Sequence, residues 1–301
     1  MLHHPASPPP HVISYGGSMT RLAWATGAGF ADSDADLPLL TEAAARAGLT
    51  SEVVVWDDPA VEWDAYDLVV VRSCWDYVPR REEFLTWAAS VPRLANPADV
   101  IAWNTDKTYL RELETAGIAI VTTAWSVTGP DDLPPAREWV VKPTISAGSA
   151  DTARWTDPAR ALEHGRQLLA AGRPTMTQPY VDAVDSEGET GILLFGGRYS
   201  HAFRKGALLT TDDDPRELPE LKEDILAREP SAEQVAFAER TVAAAGSLLG
   251  TDLLYARVDV VTDADGSLRL MELELTEPSF FLQHTDVGAD RAIAAILPRL
   301  P

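Results

Sequence analysis

The sequence predicts an α/β architecture in its N-terminal part that passes into α+β toward the C-terminus, on three observations. From Met19 to about Pro97, short apolar runs alternate with helix-patterned stretches, the signature of a small doubly wound unit around a parallel sheet. From Pro174 onward, strand patterns are joined by the short turns Gly196-Gly197 and Asp263-Ala-Asp-Gly266, which suit antiparallel hairpins. With 301 residues, 46% of them hydrophobic, the chain can bury a large core as one big domain or two to three subdomains.

Residues 1–18 carry His3, His4, His11 and four prolines but no apolar signal-peptide core. They read as a disordered extension, with the natural start at Met19. A first domain follows over 19–98. Arg21 to Thr26 is a strand, and Asp36 can cap a helix through Leu39, Leu40 and Ala44 that Gly48 stops. Ser51-Glu-Val-Val-Val-Trp56 and Asp67-Leu-Val-Val-Val-Arg72 have the apolar character of buried parallel strands. Gly27-Ala-Gly29 hints at a dinucleotide fingerprint, but Asp32 stands where its third glycine belongs. Arg72-Ser-Cys-Trp-Asp-Tyr77 closes a strand, and open α/β sheets bind ligands beyond the carboxyl ends of their strands. The same residues also read as a structural Trp and Tyr beside an Arg–Asp pair.

A second section spans 99–173. Asn104 or Thr105 can cap a helix whose first turn holds Lys107, with Leu110 and Leu113 inward and Gly117 at its end. Glu138-Trp-Val-Val-Lys142-Pro is a strand running into a loop of small residues, and Asp157-Pro158 opens a further helix. The third section, 174–301, is mainly antiparallel. Thr175 to Val181 is a strand with an internal proline, expected at a sheet edge or end. Thr190–Phe195 and Arg198–Arg204 form a hairpin, and Ser231 with Gln234 makes a capping box for a helix ending at Gly250. Leu254–Thr262 and Leu268–Leu275 form the last hairpin.

The formal net charge of −21 argues against a nucleic-acid binder and against an anionic membrane surface, both of which demand clustered Lys and Arg. Cys74 is the single cysteine, so an intrachain disulfide and a thiolate metal site are excluded, in keeping with a cytoplasmic location. No apolar run reaches the roughly 18 residues of a membrane span.

Chemistry concentrates in the last hairpin. Side chains alternate along a strand, so Arg257 and Asp259 share one face, as do Glu272 and Glu274. Gathered carboxylates repel unless a cation sits among them, and hard oxygens suit Mg²⁺; a solvated sheet face is the bland alternative. Three further features precede the hairpin in fixed order, and a nucleotide explains all four. Lys107 and Lys142 are point charges suited to phosphate oxygens. Ser146-Ala-Gly148-Ser149 lets backbone N–H groups approach the phosphates. The backbone of Gln178, Pro179, Tyr180 and Val181 can meet an adenine edge. Asp259, Glu272 and Glu274 would then hold Mg²⁺ bridging the phosphates.

This order resembles the ATP-grasp superfamily, in its glutathione synthetase-like branch. The matching residues are Asn104-Thr-Asp-Lys-Thr-Tyr-Leu110, Val140-Val-Lys-Pro143, Gln178-Pro-Tyr-Val181, Ala256-Arg-Val-Asp259 and Met271-Glu-Leu-Glu274. Within that superfamily, Arg72-Ser-Cys-Trp-Asp76 and Glu272-Leu-Glu-Leu-Thr-Glu-Pro-Ser279 are most similar to the D-cycloserine synthetase family. One departure is Glu272-Leu-Glu274, where the superfamily usually has Glu-x-Asn; it leaves open which carboxylate bridges two metal ions.

The resemblance implies the ATP-grasp fold and a cytoplasmic carboxylate–amine ligase that uses ATP and Mg²⁺, two ions, with Mn²⁺ a substitute. ATP would phosphorylate a substrate carboxylate, and a nitrogen nucleophile would attack the acyl phosphate. Positioning and cations carry such steps. Arg257 is then the candidate for stabilising the transferring phosphoryl group, with Arg204 sharing the role and Lys205 solvated. Glu189 is placed to meet the ribose, and Arg72, Trp75 and Ser279 are candidates for holding an amino acid-like substrate. Glu277-Pro-Ser279 is expected to face it too. The closer resemblance implies closure of O-ureido-D-serine to D-cycloserine, a role in antibiotic biosynthesis. An intermolecular amide or dipeptide ligase, a non-catalytic nucleotide-binding regulatory module and a homodimer remain alternatives or additions. Ile145–Ala150 and Thr210–Pro219 are the expected lid segments.

Overall fold

The structure, a computed structural model, describes residues 20–216 and 224–301. The expected extension at 1–18, the start at Met19 and the end of the 210–219 segment lie outside the described residues. Three sheets organise the chain. The first comprises β1 (Arg21–Thr26), α1 (Asp36–Arg46), β2 (Thr50–Val55), β3 (Leu68–Val71), α2 (Arg81–Ser90) and β4 (Leu94–Ala95), with parallel strands in the order β2-β1-β3-β4. β3 is buried throughout, as its Leu-Val-Val-Val run predicts. β2 is not: it lies at the sheet edge, and Glu52 and Val53 face solvent. An apolar run identifies a strand but not the number of its neighbours.

Two helices follow, α3 (Ala98–Asn104) and α4 (Tyr109–Thr115), where one was expected, and Lys107 occupies the break between them. The central sheet is antiparallel, built from β5 (Ala124–Trp125), β6 (Trp139–Pro143), β7 (Ala153–Trp155), α5 (Pro158–Ala170) and β8 (Thr175–Pro179), in the order β5-β8-β6-β7. β8 is thus an inner strand of this sheet, which crosses the boundary expected at 173/174. Pro179 is tolerated because it is the last residue of β8.

After α6 (Ala183–Glu187) come β9 (Glu189–Phe195), β10 (Arg198–Lys205), β11 (Ile225–Ala227), α7 (Ala232–Leu249), β12 (Tyr255–Thr262), β13 (Leu268–Glu274) and α8 (Gly288–Ile296). Their antiparallel sheet runs β11-β10-β9-β12-β13. Both expected hairpins are present, Gly196 and Gly197 supplying the positive φ (57° and 72°) that a two-residue turn requires. The Ser231–Gln234 capping box is also formed, and α7 ends on left-handed Gly250.

One face of the C-terminal sheet packs on α4 and α7 through Leu110, Leu113, Phe237 and Val242. Other residues of that sheet, Leu193, Phe195 and Tyr255, join Leu22, Trp24 and α1 residues in one core, so the first and third parts of the chain are packed together.

Candidate functional site

The hairpin register sets the site. Arg257 pairs with Glu274 and Asp259 with Glu272, and the next pair is Val260 with Leu270, leaving Met271 as an extra residue. This bulge reverses the alternation. Leu270 packs in the same core as Leu273 and Leu275, while Met271, Glu272 and Glu274 line a cavity. Simple counting would have put Leu270 on the face of Glu272. β13 is a sheet edge, and side chains seal it: Asn104 bonds the Leu273 carbonyl and the Leu275 amide (both 2.7 Å), and the Tyr109 hydroxyl takes the Leu273 amide at 2.9 Å. Asn104 is therefore no helix cap; it fixes the strand that carries the acids.

The cavity, of about 1230 Å³, is walled by residues of the central and C-terminal sheets and by loop and helix residues that follow β1 and β3. Of the residues singled out in the sequence, Trp75, Lys107, Lys142, Ser146, Gly148, Ser149, Gln178, Pro179, Tyr180, Val181, Glu189, Arg257, Glu272, Glu274 and Ser279 line it; Arg72, Arg204 and Asp259 do not. Lys107 reaches the Ser146 carbonyl at 2.6 Å and Glu272 at 3.1 Å. Lys142 comes from β6, and burial pushes its ammonium below the ordinary value. Gly148 and Ser149 are both left-handed (φ 57° and 59°), turning the loop tightly beside these lysines. At the other end, Pro179 has no N–H and Tyr180 donates its own to the Glu138 carbonyl at 2.9 Å. Among the described residues the Val181 N–H meets no protein acceptor, which leaves it for a ligand edge.

Several expectations require correction. Arg204 donates to Asp224 at 2.8 Å and to the Glu187 carbonyl at 3.1 Å; alternation along β10 turns it from the cavity and turns Lys205, expected to be solvated, into it. Arg72 is wholly buried, bonded to Asp36 at 3.1 Å and the Pro278 carbonyl at 2.9 Å, its guanidinium 3.7 Å from the Phe280 ring centre. It holds the loop after β13 and does not line the cavity. Asp36 likewise does not cap α1: its carboxylate accepts from the Phe280 and Leu282 amides at 2.6 and 2.8 Å.

A further correction concerns the metal set. Asp259 is about 1% exposed and held by both Nε and Nη2 of Arg257 at 2.9 Å, while the same guanidinium bonds Glu274. Among the described residues no three acidic, His or Cys side chains are grouped closely enough to hold a metal. Glu272 and Glu274 nevertheless fit Mg²⁺ by donor chemistry, two cavity-facing carboxylates with hard oxygens. Burial raises the pKa of Glu272, but Lys107, Lys142, Lys205 and Arg257 outweigh it and hold the group down to about 2. For Glu274, burial wins, with Glu272, Asp259 and Glu277 adding to it against Arg257, and the group is pushed up to about 8. Burial also raises Glu189, which sits opposite Lys205 in register.

Phe30, Tyr77 and Glu277 complete the end of the cavity formed by the loops after β1 and β3. Phe30 was missed because an aromatic at a strand end reads equally as core, and Tyr77 was noted only within the segment that closes β3. Lys205 has no local signal: counting by twos from the Gly196-Gly197 turn selects Arg204, and the register shift between Tyr199 and His201 moves Lys205 onto that face.

A family model described as the N-terminal domain of D-cycloserine synthetase DcsG matches residues 22–96. The chain is 39% identical to the cycloserine biosynthesis protein DcsG of Streptomyces lavendulae over 301 residues, covering 94% of this chain and 99% of that protein. It superposes on the crystal structure of D-cycloserine synthetase DcsG with a TM-score of 0.85 at 36% identity, covering 93% of this chain and 100% of that one. The ATP-grasp ligase PsnB complexed with its minimal precursor (TM-score 0.63, 18% identity, 94% and 100% covered) and D-alanine–D-alanine ligase from Bacillus anthracis (0.60, 14%, 93% and 97%) share the fold.

Proposed function

The chain belongs to the D-cycloserine synthetase family of ATP-grasp ligases, and on that premise we propose that it activates the carboxylate of O-ureido-D-serine and closes the molecule on its own side-chain nitrogen. That it is an ATP-dependent enzyme forming C–N bonds follows from the family; the substrate and the residue roles are the proposal. One observation carries them. A single cavity brings Lys107, Lys142, Lys205 and Arg257 beside Glu272 and Glu274, with a strand end and the Val181 amide at one extremity and an aromatic-walled acidic turn at the other.

The adenine edge lies against Gln178–Val181, and Glu189 receives the ribose. Lys107 and Lys142 take phosphate oxygens, with the Ser146–Ser149 backbone over them. Glu272 and Glu274 would hold Mg²⁺, which neutralises charge on the phosphates when bound. A carboxylate oxygen of the substrate attacks the γ-phosphorus and ADP leaves. The substrate nitrogen then attacks the acyl carbon, phosphate leaves and takes up the proton that the nitrogen loses, and water releases the carbamoyl group from that nitrogen as carbamate. Arg257, fixed by Asp259 at the centre of the sheet face, steadies the charge on the transferring phosphoryl group and on the tetrahedral carbon. No protein nucleophile is required.

ADP release measured with O-ureido-D-serine as the sole organic substrate tests the reading. Ring closure needs no second amine, so ADP should appear with that compound alone. ADP that appears only when a second amino acid is added would replace it with an intermolecular amide ligase.

A further inference from the structure

Glu277 is one of three cavity-lining carboxylates that the mechanism above leaves without a role; the other two, Glu82 and Asp151, pair with Arg81 and Arg173. Its side chain forms no ion pair within 4.0 Å among the described residues, whereas Glu272 pairs with Lys107 and Glu274 with Arg257. Phe30, Trp75 and Tyr77 line the same end of the cavity, and Phe30 packs edge-on to Trp75 with ring centres 5.8 Å apart. The turn that presents Glu277 is held in place on all sides. Trp75 Nε1 donates to its carbonyl at 3.4 Å, Arg72 to the next carbonyl at 2.9 Å, and Asp36 takes the amides of Phe280 and Leu282. A cavity-facing carboxylate on a backbone held so firmly, bonded to the Tyr77 hydroxyl and feeling Lys107 only from beyond ion-pair distance, favours a cationic ligand; aromatic faces favour one too. An anion there would meet Glu277 with Glu272 and Glu274 close behind.

We propose that Glu277 receives the protonated α-amino group of the substrate and so selects amino acids over plain carboxylic acids. The inference rests on the amino acid-ligase reading and deepens it. It also orients the substrate: with the ammonium at Glu277, the carboxylate of the zwitterion is directed to the Arg257 and lysine side, where phosphoryl transfer occurs. Arg72 and Asp36 act through the turn and are positioning residues.

Two arms test this separately from the ring-closing activity. In the first, calorimetry on the enzyme saturated with Mg-AMPPNP measures uptake of D-serine and of 3-hydroxypropanoate, which lacks the amine. D-serine should bind at least about 30-fold more tightly than its analogue, and Glu277→Gln should erase that preference while nucleotide affinity stays within about threefold. In the second, ADP release with O-ureido-D-serine should show a KM raised at least about 30-fold in Glu277→Gln, with Glu277→Asp partly restoring it. If Glu277→Gln fails to bind Mg-AMPPNP, Glu277→Asp is read in its place and should show a smaller loss of the same preference. Equal affinity of the wild type for both probes, or an unchanged preference in the variant, overturns the inference. Failure of O-ureido-D-serine to release ADP, with the D-serine preference intact, would instead remove the cyclisation reading and leave Glu277's role standing.

Discussion

At Glu272 a single carboxylate meets Lys107 directly and feels Lys142, Lys205 and Arg257. Its fold-supporting contacts are few, because the backbone of β13 is held by Asn104 and Tyr109 rather than by this side chain. Glu272→Gln should therefore lower turnover by at least about 100-fold with little change in melting temperature, read by ADP release and thermal unfolding on the same preparation. Equal loss in both would make Glu272 structural. The acidic turn gives a pH prediction of definite sign. Burial and Glu272 outweigh Lys107 and the Tyr77 hydroxyl at Glu277, pushing it up to about 7 from 4.5, and Glu274 is raised to about 8. Between the unfolded and folded values the folded chain holds protons that the unfolded chain has released, so stability falls as pH rises. Metal-free protein should melt at a lower temperature at pH 8 than at pH 5.5, and Glu277→Gln should narrow that difference. A difference of unchanged size in the variant would place the titrating group elsewhere.

Elements decide which of those residues can meet. The order of Lys107, Lys142, Gln178–Val181 and the Arg257–Glu274 hairpin was legible in the sequence because each motif is short and local; Lys107, Lys142, Gln178–Val181, Arg257, Glu272 and Glu274 line the same cavity, while Asp259 lies behind Arg257. What the sequence did not reveal is parity and long-range bonding. The extra Met271 in β13 reverses a count of two, Arg204 and Lys205 exchange the roles expected of them, and Arg72 meets Asp36 across 36 residues and Pro278 across 206. None of these has a local signature. Gly191 shows the same limit: a Cβ there would lie 2.2 Å from Phe203, whose ring fills the space opposite it in register. At β13, Asn104→Ala should leave the Leu273 carbonyl and the Leu275 amide without partners, costing about 2–5 kcal/mol for two buried groups. Chemical denaturation would read that loss. Arg72→Met, which strands Asp36 in the core, should cost about 3–5 kcal/mol while Mg-ADP affinity remains. A collapse of nucleotide binding in a folded Arg72→Met protein would mean that the core contact also supports the nucleotide end of the cavity.

Across the whole molecule, a chain of net charge −21 must draw a polyanion into one cavity, and it does so by confining cations to the inner wall. Lys142 comes from the central sheet, Lys205 and Arg257 from the C-terminal sheet and Lys107 from the break between α3 and α4, so nucleotide affinity depends on those two sheets and that break holding their relative positions. The cover over that wall is made by two segments that touch each other. Ser146–Asp151 leads from β6 to β7, and 206–216 follows β10, contributing Leu208 and Leu209 to the cavity. The Asp151 amide bonds the Arg216 carbonyl at 2.8 Å, the Asp212 amide bonds the Arg154 carbonyl at 2.8 Å, and Thr156 bonds the Asp212 carboxylate at 2.6 Å. These are few bonds, at the surface, and an acyl phosphate needs water kept out once it has formed. Closure of one segment on nucleotide must therefore draw the other with it through the Asp151–Arg216 and Arg154–Asp212 bonds. Limited proteolysis should cut within 145–150 or 206–216 in the free protein, and Mg-AMPPNP should protect both segments to the same degree. Protection of the 145–150 loop alone would mean that the two move independently and that only the first closes over the phosphates.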